Sequence, residues 1–140
     1  MIADGAVICN ACAGAYNWSN GLRVGQETLM NVLLTGGAGY IGSHVLRALQ
    51  AAGHTCIVFD NLSNGHAAAV GTATFVRGDI DDRAALQSVM REHGIDTVIH
   101  FAAFIEAGES MTAPVKYFEN NTASALNLLE AMRAEGVGRL

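Results

Sequence analysis

The sequence predicts an α/β fold: a doubly wound parallel sheet, covered by helices on both faces, of which it contains the first four strands. Short apolar runs that stop at a glycine or an aspartate alternate with longer segments of helical spacing. The runs lack alternation of polar and apolar residues, as is usual for strands buried on both faces. Hydrophobic residues make up 51% of the chain and charged residues 15%, which favours a folded core over disorder.

Each element has a local justification. The predicted strands span 32–35, 55–59, 74–76 and 97–101, and the loop 61–71 is polar and rich in small residues. The first helix covers 41–52 and stops at Gly53. A second helix is capped by Asp81 or Asp82 and runs to about His93. Pro114 can open a last helix that reaches about Glu135.

Residues 1–29 differ from the rest because they show neither strand nor clear helical periodicity. We expect them to form an N-terminal extension, and we expect the folded unit to span 30–140. The Cys9–Cys12 pair has CxxC spacing, but no second pair and no nearby histidine completes a metal site. The sequence therefore predicts no metal centre.

Charge and composition exclude several classes of partner. The net charge is −5 and the isoelectric point about 5.4, so nucleic acid is a poor partner. No apolar run approaches the roughly 20 residues that a membrane span needs. Three cysteines form no disulfide framework, which favours a reducing, cytoplasmic setting.

A glycine loop follows the first strand. Gly36, Gly39 and Gly42 have GxxGxxG spacing, a variant of the GxGxxG motif of Rossmann-like dinucleotide domains. The first glycine permits a sharp turn, the second lets the backbone approach a pyrophosphate, and the third allows close helix–strand packing. The alternative is an ordinary glycine-rich turn, but the position between strand and helix favours a phosphate site.

Polar and small residues follow the other three strands. Asp60 ends the second strand 18 residues after Gly42, where an acid can accept hydrogen bonds from the adenosine ribose; it then favours NAD over NADP. Asp79, after the third strand, can accept from an adenine amino group. The small residues that follow Phe101 let a flat ring lie on the backbone. His100 is more readily explained as a hydrogen-bonded core histidine than as a catalytic one.

These motifs resemble the extended short-chain dehydrogenase/reductase family and, within it, the N-terminal part of UDP-glucose 4-epimerases. The resemblance runs from Met30 to Leu140 and rests on VLLTGGAGYIGSH (32–44), DNLSNG (60–65), GDI (78–80), DTVIHFAA (96–103) and GES with a downstream Asn pair (108–121). Residues 1–29 match nothing in that family. The resemblance implies an incomplete NAD-binding domain, which ends before the catalytic segment of the family.

The resemblance also implies a set of NAD contacts. The backbone of Tyr40 and Ile41, beside the loop glycines, would bind the pyrophosphate. The remaining implied contacts are Asp60, Asn61, Leu62 and Asn64 around the adenosine ribose, Asp79 and Ile80 at the adenine, Phe101, Ala102 and Ala103 along the cofactor, and Asn121 at the nicotinamide half. One departure is that Ile105, followed by Glu106, stands where many of these enzymes have a lysine.

The activity that the resemblance implies is interconversion of UDP-glucose and UDP-galactose through a 4-keto intermediate with enzyme-bound NAD. In that family a tyrosine acts as the base, with a lysine four residues later. The tyrosines here are Tyr16, Tyr40 and Tyr117, and none has a lysine at that distance. We therefore assign no catalytic residue, and we expect this chain alone to be inactive and to bind NAD weakly.

Other assignments remain open from the sequence. Another nucleotide-sugar epimerase, a uronate epimerase or a 4,6-dehydratase would share the glycine loop. A non-catalytic NAD-binding module is the alternative outside enzymes. We expect the partners to be a UDP-sugar, which needs a further part of the enzyme, and a second copy in a homodimer. We also expect the fourth strand to form an open sheet edge.

Overall fold

A computed structural model describes residues 28–140, so the Cys9–Cys12 pair and nearly all of the predicted extension lie outside the described residues. The first half of the described chain alternates strands and helices, and the second half is mostly helical. In chain order the elements are β1 (Asn31–Thr35), α1 (Tyr40–Ala51), β2 (Thr55–Asp60), a 3₁₀ turn (Ala67–Ala69), β3 (Thr74–Arg77), α2 (Arg83–Glu92), β4 (Thr97–His100), α3 (Ala107–Thr112), α4 (Pro114–Phe118), a π-helical segment (Glu119–Ser124) and α5 (Ala125–Glu135).

The four strands form one parallel sheet in the order β3-β2-β1-β4. Leu33 in the middle of β1 is level with Ile57 on one side and Val98 on the other. The strand order reverses between β1 and β4, and ligands of doubly wound sheets bind outside the carboxyl ends of the strands at such a point. The predicted doubly wound parallel sheet is confirmed.

The sheet has a separate hydrophobic core on each face. Leu33 and Phe59 point to one side, where they pack with Leu86 of α2 and Leu128 of α5. On the other side, side chains of β1 and β2 pack against α1; the buried members there are Val32, Leu34, Ala38, Leu46, Cys56, Val58 and Val70. Successive strand residues thus enter opposite cores, which explains why the strands read as continuous apolar runs.

The cap of α2 is Asp82 rather than Asp81. The Asp82 carboxylate accepts a hydrogen bond from the backbone N–H of Ala85 at 2.9 Å, which satisfies one of the free donors of the first turn. The Asp81 carboxylate instead bonds the hydroxyl of Ser124 in the π-helical segment. It thereby connects the loop after β3 to the helices that follow β4.

The predicted helix from Pro114 to Glu135 is not one regular helix. It is divided into α4, the π-helical segment and α5, and α3, which the sequence did not predict, precedes it. The hydroxyl of Ser124 bonds the carbonyl of Glu119, five residues earlier, at 3.0 Å. Such side-chain bonds compete with the regular helical ladder. Helical spacing of apolar residues alone did not reveal this wider turn.

The outer edge of β4 is partly covered. The carbonyl of Arg139 accepts a hydrogen bond from the backbone N–H of Val98 at 3.0 Å. The expected open edge is therefore paired at this one position. Among residues 28–140, no helix has the length and apolarity that a membrane crossing requires.

Candidate functional site

A groove of about 350 Å³ opens at the carboxyl edge of the sheet. The loops after all four strands and the first turn of α1 form its walls. Its lining residues are Gly36, Gly39, Tyr40, Ile41, Gly42, Phe59, Asp60, Asn61, Ser63, Asn64, Gly65, Gly78, Ile80, Phe101, Ala102, Ala103, Phe104, Ile105, Glu106 and Asn120. All but three of the predicted cofactor residues meet here; the exceptions are Leu62, Asp79 and Asn121.

The glycine loop forms the floor of this groove between β1 and α1. Gly36 has φ of 73°, and a Cβ there would lie 2.6 Å from the backbone nitrogen of Ala102. A Cβ on Gly42 would lie 2.5 Å from the carbonyl oxygen of Gly36. Both positions therefore need glycine. The sequence predicted that Gly42 allows the helix to pack against a strand, whereas in the structure it allows the first helical turn to pack against the glycine loop.

The amino terminus of α1 points at the groove. Gly39 is the N-cap and Tyr40 the first helical residue, and the first turn contains no acidic side chain. The backbone N–H groups of Tyr40, Ile41 and Gly42 precede the intrahelical ladder, so they are free to donate. Together with the positive end of the helix dipole, they make this wall suited to an anionic group such as a phosphate.

Asp60 holds the loop after β2 in place and faces the same groove. The residue is 8% exposed. One carboxylate oxygen accepts from the backbone N–H of Ala38 at 2.9 Å and the other from Leu62 at 2.7 Å. Leu62 adopts a left-handed backbone with φ of 64°, and its side chain packs into the α1 core instead of the groove. A carboxylate oxygen can accept a second hydrogen bond, so Asp60 can still bind a hydroxyl.

Asp79 lies outside the lining and holds a lining residue in place. Its carboxylate accepts from the side-chain amide of Asn61 at 2.8 Å and from the backbone N–H of Asp81 at 3.1 Å. The bond links the loops after β2 and β3, and Asn61 is the partner that lines the groove. Ile80, which is 4% exposed, presents an apolar surface beside them.

The two asparagines of the π-helical segment have different surroundings. Asn121, the predicted contact, lies outside the lining and bonds both the N–H and the carbonyl of Phe104 at 2.9 Å. Asn120 lines the groove, and its side-chain amide donates to the carbonyl of Ala102 at 3.3 Å. The sequence showed an asparagine pair, but it could not reveal which member faces inward.

Several other lining residues were missed from the sequence. Gly65 and Gly78 are close-contact positions: a Cβ would lie 2.9 Å from Ala38 and 2.3 Å from the Phe59 ring, respectively. The glycine at each of these two positions was the sequence signal that could have identified it as a close-contact position. Phe104 carries no pattern that distinguishes it from neighbouring loop residues, whereas Ser63 lies in the DNLSNG motif, and Ile105, followed by Glu106, stands where the resemblance implies a lysine.

His100 lies at the end of β4, directly below the groove. Its Nδ1 is 2.7 Å from the hydroxyl of Thr35, which is fully buried. Burial lowers the pKa of His100 below its usual value, so the ring is held neutral. His100 is hydrogen-bonded and does not line the groove, in agreement with its interpretation as a core histidine.

Tyr117 lies behind the loop after β4 and is 9% exposed. Its hydroxyl is 2.9 Å from both the carbonyl oxygen of Glu106 and the carboxylate of Glu109. Burial, reinforced by these acidic neighbours, raises the pKa of Tyr117 to about 12. Lys116 bonds Glu109 at 2.8 Å, and with Tyr117 it lowers the pKa of the Glu109 carboxyl. Tyr117 therefore keeps its proton and anchors a loop.

The geometry is that of a dinucleotide-binding domain: glycine loop, helix amino terminus and acid after the second strand open onto one groove. The model of the NAD dependent epimerase/dehydratase family matches residues 32–140. The chain belongs to this family.

Several UDP-glucose 4-epimerases are similar in sequence. That of Halalkalibacterium halodurans is 47% identical over 111 residues, which are 79% of this chain and 33% of that protein. That of Lacticaseibacillus casei is 47% identical over 112 residues, 79% and 34% of the two chains. A Klebsiella pneumoniae protein of the same name is 41% identical over 77% of this chain and 84% of its own length. The chain spans about a third of the first two relatives.

Solved structures agree with the fold. The UDP-glucose 4-epimerase of Brucella ovis in complex with NAD has a TM-score of 0.76 and 45% identity over 77% of this chain and 33% of that chain. The enzyme of Bifidobacterium longum in complex with NAD+ and UDP has a TM-score of 0.73 and 36% identity over 76% and 34%. In both comparisons, the similarity covers only about a third of the solved chain.

Proposed function

We propose that this chain binds NAD in the groove and forms the NAD-binding part of a UDP-glucose 4-epimerase. The observation that carries the proposal is that the amino terminus of α1 and Asp60 line the same groove. The first supplies donors for a pyrophosphate and the second an acceptor for ribose hydroxyls. The similarity to UDP-glucose 4-epimerases in sequence and structure supports the enzyme assignment.

The residues present fit the cofactor, because Gly36 and Gly42 allow the close backbone packing of the loop that holds the amino terminus of α1 at the groove. We assign the pyrophosphate to the first turn of α1. We assign the adenosine ribose to Asp60, Asn61 and Asn64, and the adenine to Ile80, with Asp79 behind it. The residues that would contact the nicotinamide half are Phe101, Ala102, Ala103 and Asn120. Leu62 and Asn121 act indirectly, by holding Asp60 and Phe104.

When bound, NAD supplies reversible hydride exchange with the sugar, which is the redox chemistry of a 4-keto intermediate. The described residues of this chain bind and orient the cofactor. We assign the base to none of them, since neither Tyr40 nor Tyr117 has a lysine four residues later and Tyr117 keeps its proton through a pKa of about 12. We therefore expect the chain alone to be inactive.

The proposal includes a UDP-sugar substrate, a cytoplasmic setting and a homodimer of the complete enzyme. The buried free thiol of Cys56 suits a reducing compartment. Phe118 of α4 and Leu126 and Leu129 of α5 are 70%, 57% and 45% exposed, an apolar surface that a second copy could cover. Light scattering on the complete enzyme tests the dimer; a monomeric mass would contradict it.

Calorimetric titration of the chain with NAD and NADP tests cofactor binding. We expect weak NAD binding and still weaker NADP binding, because the 2′-phosphate would approach the Asp60 carboxylate. Equal affinities would contradict the role of Asp60. Absence of NAD binding at millimolar concentration would contradict the proposal, whereas submicromolar affinity would show that the chain needs no further contacts.

A chimera tests the enzyme assignment. Residues 32–140 replace the matching segment of the Halalkalibacterium halodurans enzyme, which is 47% identical over the aligned region. We expect conversion of UDP-galactose to UDP-glucose. A folded chimera that binds NAD but does not epimerise either sugar would overturn the epimerase assignment and leave NAD binding intact. Activity only on another nucleotide sugar would overturn the substrate assignment.

A further inference from the structure

The loop after β4 places an acidic residue at one end of the groove. Glu106 lines the groove and is the N-cap of α3. Its carboxylate accepts a hydrogen bond from the backbone N–H of Ile105 at 3.1 Å and lies 3.3 Å from the Tyr117 hydroxyl. The Tyr117 hydroxyl also donates to the Glu106 carbonyl at 2.9 Å. Both the backbone and the side chain of Glu106 are therefore tethered.

The charge at this end of the groove is negative. The whole lining contains two carboxylates, Asp60 at the end of β2 and Glu106 in the loop after β4, and neither a lysine nor an arginine. Lys116 lies 4.7 Å from the centre of the ring of Phe104, a lining residue, and is paired with Glu109. Tyr117 stays neutral. Glu106, Glu109 and Lys116 together carry one net negative charge.

The topology determines which half of a dinucleotide meets this charge. Asp60 ends β2 and the α1 amino terminus follows β1, so these two hold the adenosine ribose and the pyrophosphate. In the order β3-β2-β1-β4, the remaining wall is the loop after β4. The nicotinamide half therefore extends toward Glu106.

We propose that Glu106 is a specificity-determining residue that favours the oxidised over the reduced form of the dinucleotide. This inference rests on the proposed NAD binding. The oxidised nicotinamide ring carries a positive charge that the reduced ring lacks, whereas the remainder of the cofactor is the same in both. A tethered carboxylate near the ring therefore stabilises only the oxidised form, and salt weakens the effect.

Titration of the chain with NAD+ and with NADH tests this inference, since it measures binding rather than turnover. Glu106→Gln keeps the size and an acceptor oxygen but removes the charge. We expect the ratio of NAD+ to NADH affinity to fall about threefold to fivefold in low salt, with little change for NADH. The difference should diminish at 0.5 M salt, as expected for a screened charge.

Two further variants make the test specific. Glu92→Gln removes one charge at the far end of α2, away from the groove, and should leave the ratio unchanged. Ile105→Lys adds a cation at a position that is 79% exposed and lines the groove, and should lower the ratio as Glu106→Gln does. It provides a second test if Glu106→Gln fails to fold.

The outcomes separate the inference from the proposed function. If the wild type binds both NAD+ and NADH and Glu106→Gln changes the two affinities equally, or changes neither, Glu106 does not select the oxidised form. If Ile105→Lys raises the ratio, the electrostatic argument is wrong. If the wild type binds neither form, the proposed NAD binding fails, and the inference fails with it.

Discussion

The backbone N–H of Ala38, in the glycine loop, donates to the Asp60 carboxylate at 2.9 Å. This bond joins the two parts of the groove that the sequence treats as separate motifs, one after β1 and one after β2. It fixes the acid relative to the amino terminus of α1. A ligand that spans both motifs thus meets a pre-arranged surface, which reduces the ordering cost of binding.

Asp60→Asn should weaken both the fold and NAD binding. An amide retains one acceptor oxygen, so one of the two backbone donors, Ala38 or Leu62, faces an N–H₂ group instead. A buried donor without a partner costs about 1–3 kcal/mol. Urea denaturation should show a loss in that range, and calorimetry should show a weaker preference for NAD over NADP.

Asp96→Asn is the matched control for this change. Asp96 also accepts a backbone N–H, from Asn31 at 2.8 Å, but it lies at the opposite end of the sheet and outside the groove. It should alter stability without altering the preference between NAD and NADP. If both variants lose that preference equally, Asp60 has no direct part in it.

Gly42→Ala should disrupt the groove floor. Its Cβ would lie 2.5 Å from the carbonyl oxygen of Gly36, a backbone atom that cannot move without displacing the loop. We expect a loss of stability of about 1–3 kcal/mol and NAD binding reduced at least tenfold, measured by thermal denaturation and calorimetry.

Gly108→Ala is the control for the glycine substitution. Beyond its chain neighbours and the backbone of its own helix, no atom lies within 4 Å of a Cβ at Gly108, and its φ is not positive. The change should leave NAD binding unaltered and should leave stability equal or slightly higher, since alanine favours helix α3. Unchanged NAD binding in Gly42→Ala would show that the loop tolerates a Cβ and that its glycine spacing is not required.

The sheet, the glycine loop and the acid that ends β2 were predictable because each leaves a local signal. Buried parallel strands read as apolar runs, and a glycine between strand and helix marks close backbone approach. Gly37 was missed as a packing position: its Cβ would lie 2.9 Å from the Val58 side chain. That constraint depends on the neighbouring strand, which the spacing of the loop does not reveal.

The wall after β4 was the least predictable part of the site. Helical periodicity does not distinguish an α-helix from one with a wider turn, so the π-helical segment was missed. That segment determines why Asn120 faces the groove and Asn121 binds the Phe104 backbone. The placement of Glu106 depends likewise on Tyr117, eleven residues later. These relationships are tertiary, and no local pattern encodes them.

Asn120→Ala and Asn121→Ala should separate binding from loop stability. Asn121→Ala removes the partners of both the N–H and the carbonyl of Phe104, so the urea midpoint should fall by the equivalent of about 1–2 kcal/mol. Asn120→Ala removes a groove side chain and its bonds to the Ala102 carbonyl at 3.3 Å and to the Asn121 side chain at 2.8 Å, but it leaves both backbone groups of Phe104 paired, so NAD affinity should fall more than stability. The reverse pattern would mean that Asn121 is the contact residue, as the resemblance implied.

His100 should make stability depend on pH. Burial lowers its pKa in the folded state, so near pH 6 the unfolded chain binds more protons than the folded one. Stability is therefore full above the unfolded value of about 6.5 and is lost as pH falls toward the folded pKa. Thermal denaturation between pH 7.5 and 5.5 should show a falling midpoint.

His100→Asn, which cannot titrate but can still bond Thr35, should reduce that fall, whereas His66→Asn at an exposed position should not. Since the half-buried ring of His100 is the group expected to gain a proton as the chain unfolds, an identical pH dependence in wild type and His100→Asn would mean that His100 does not control it.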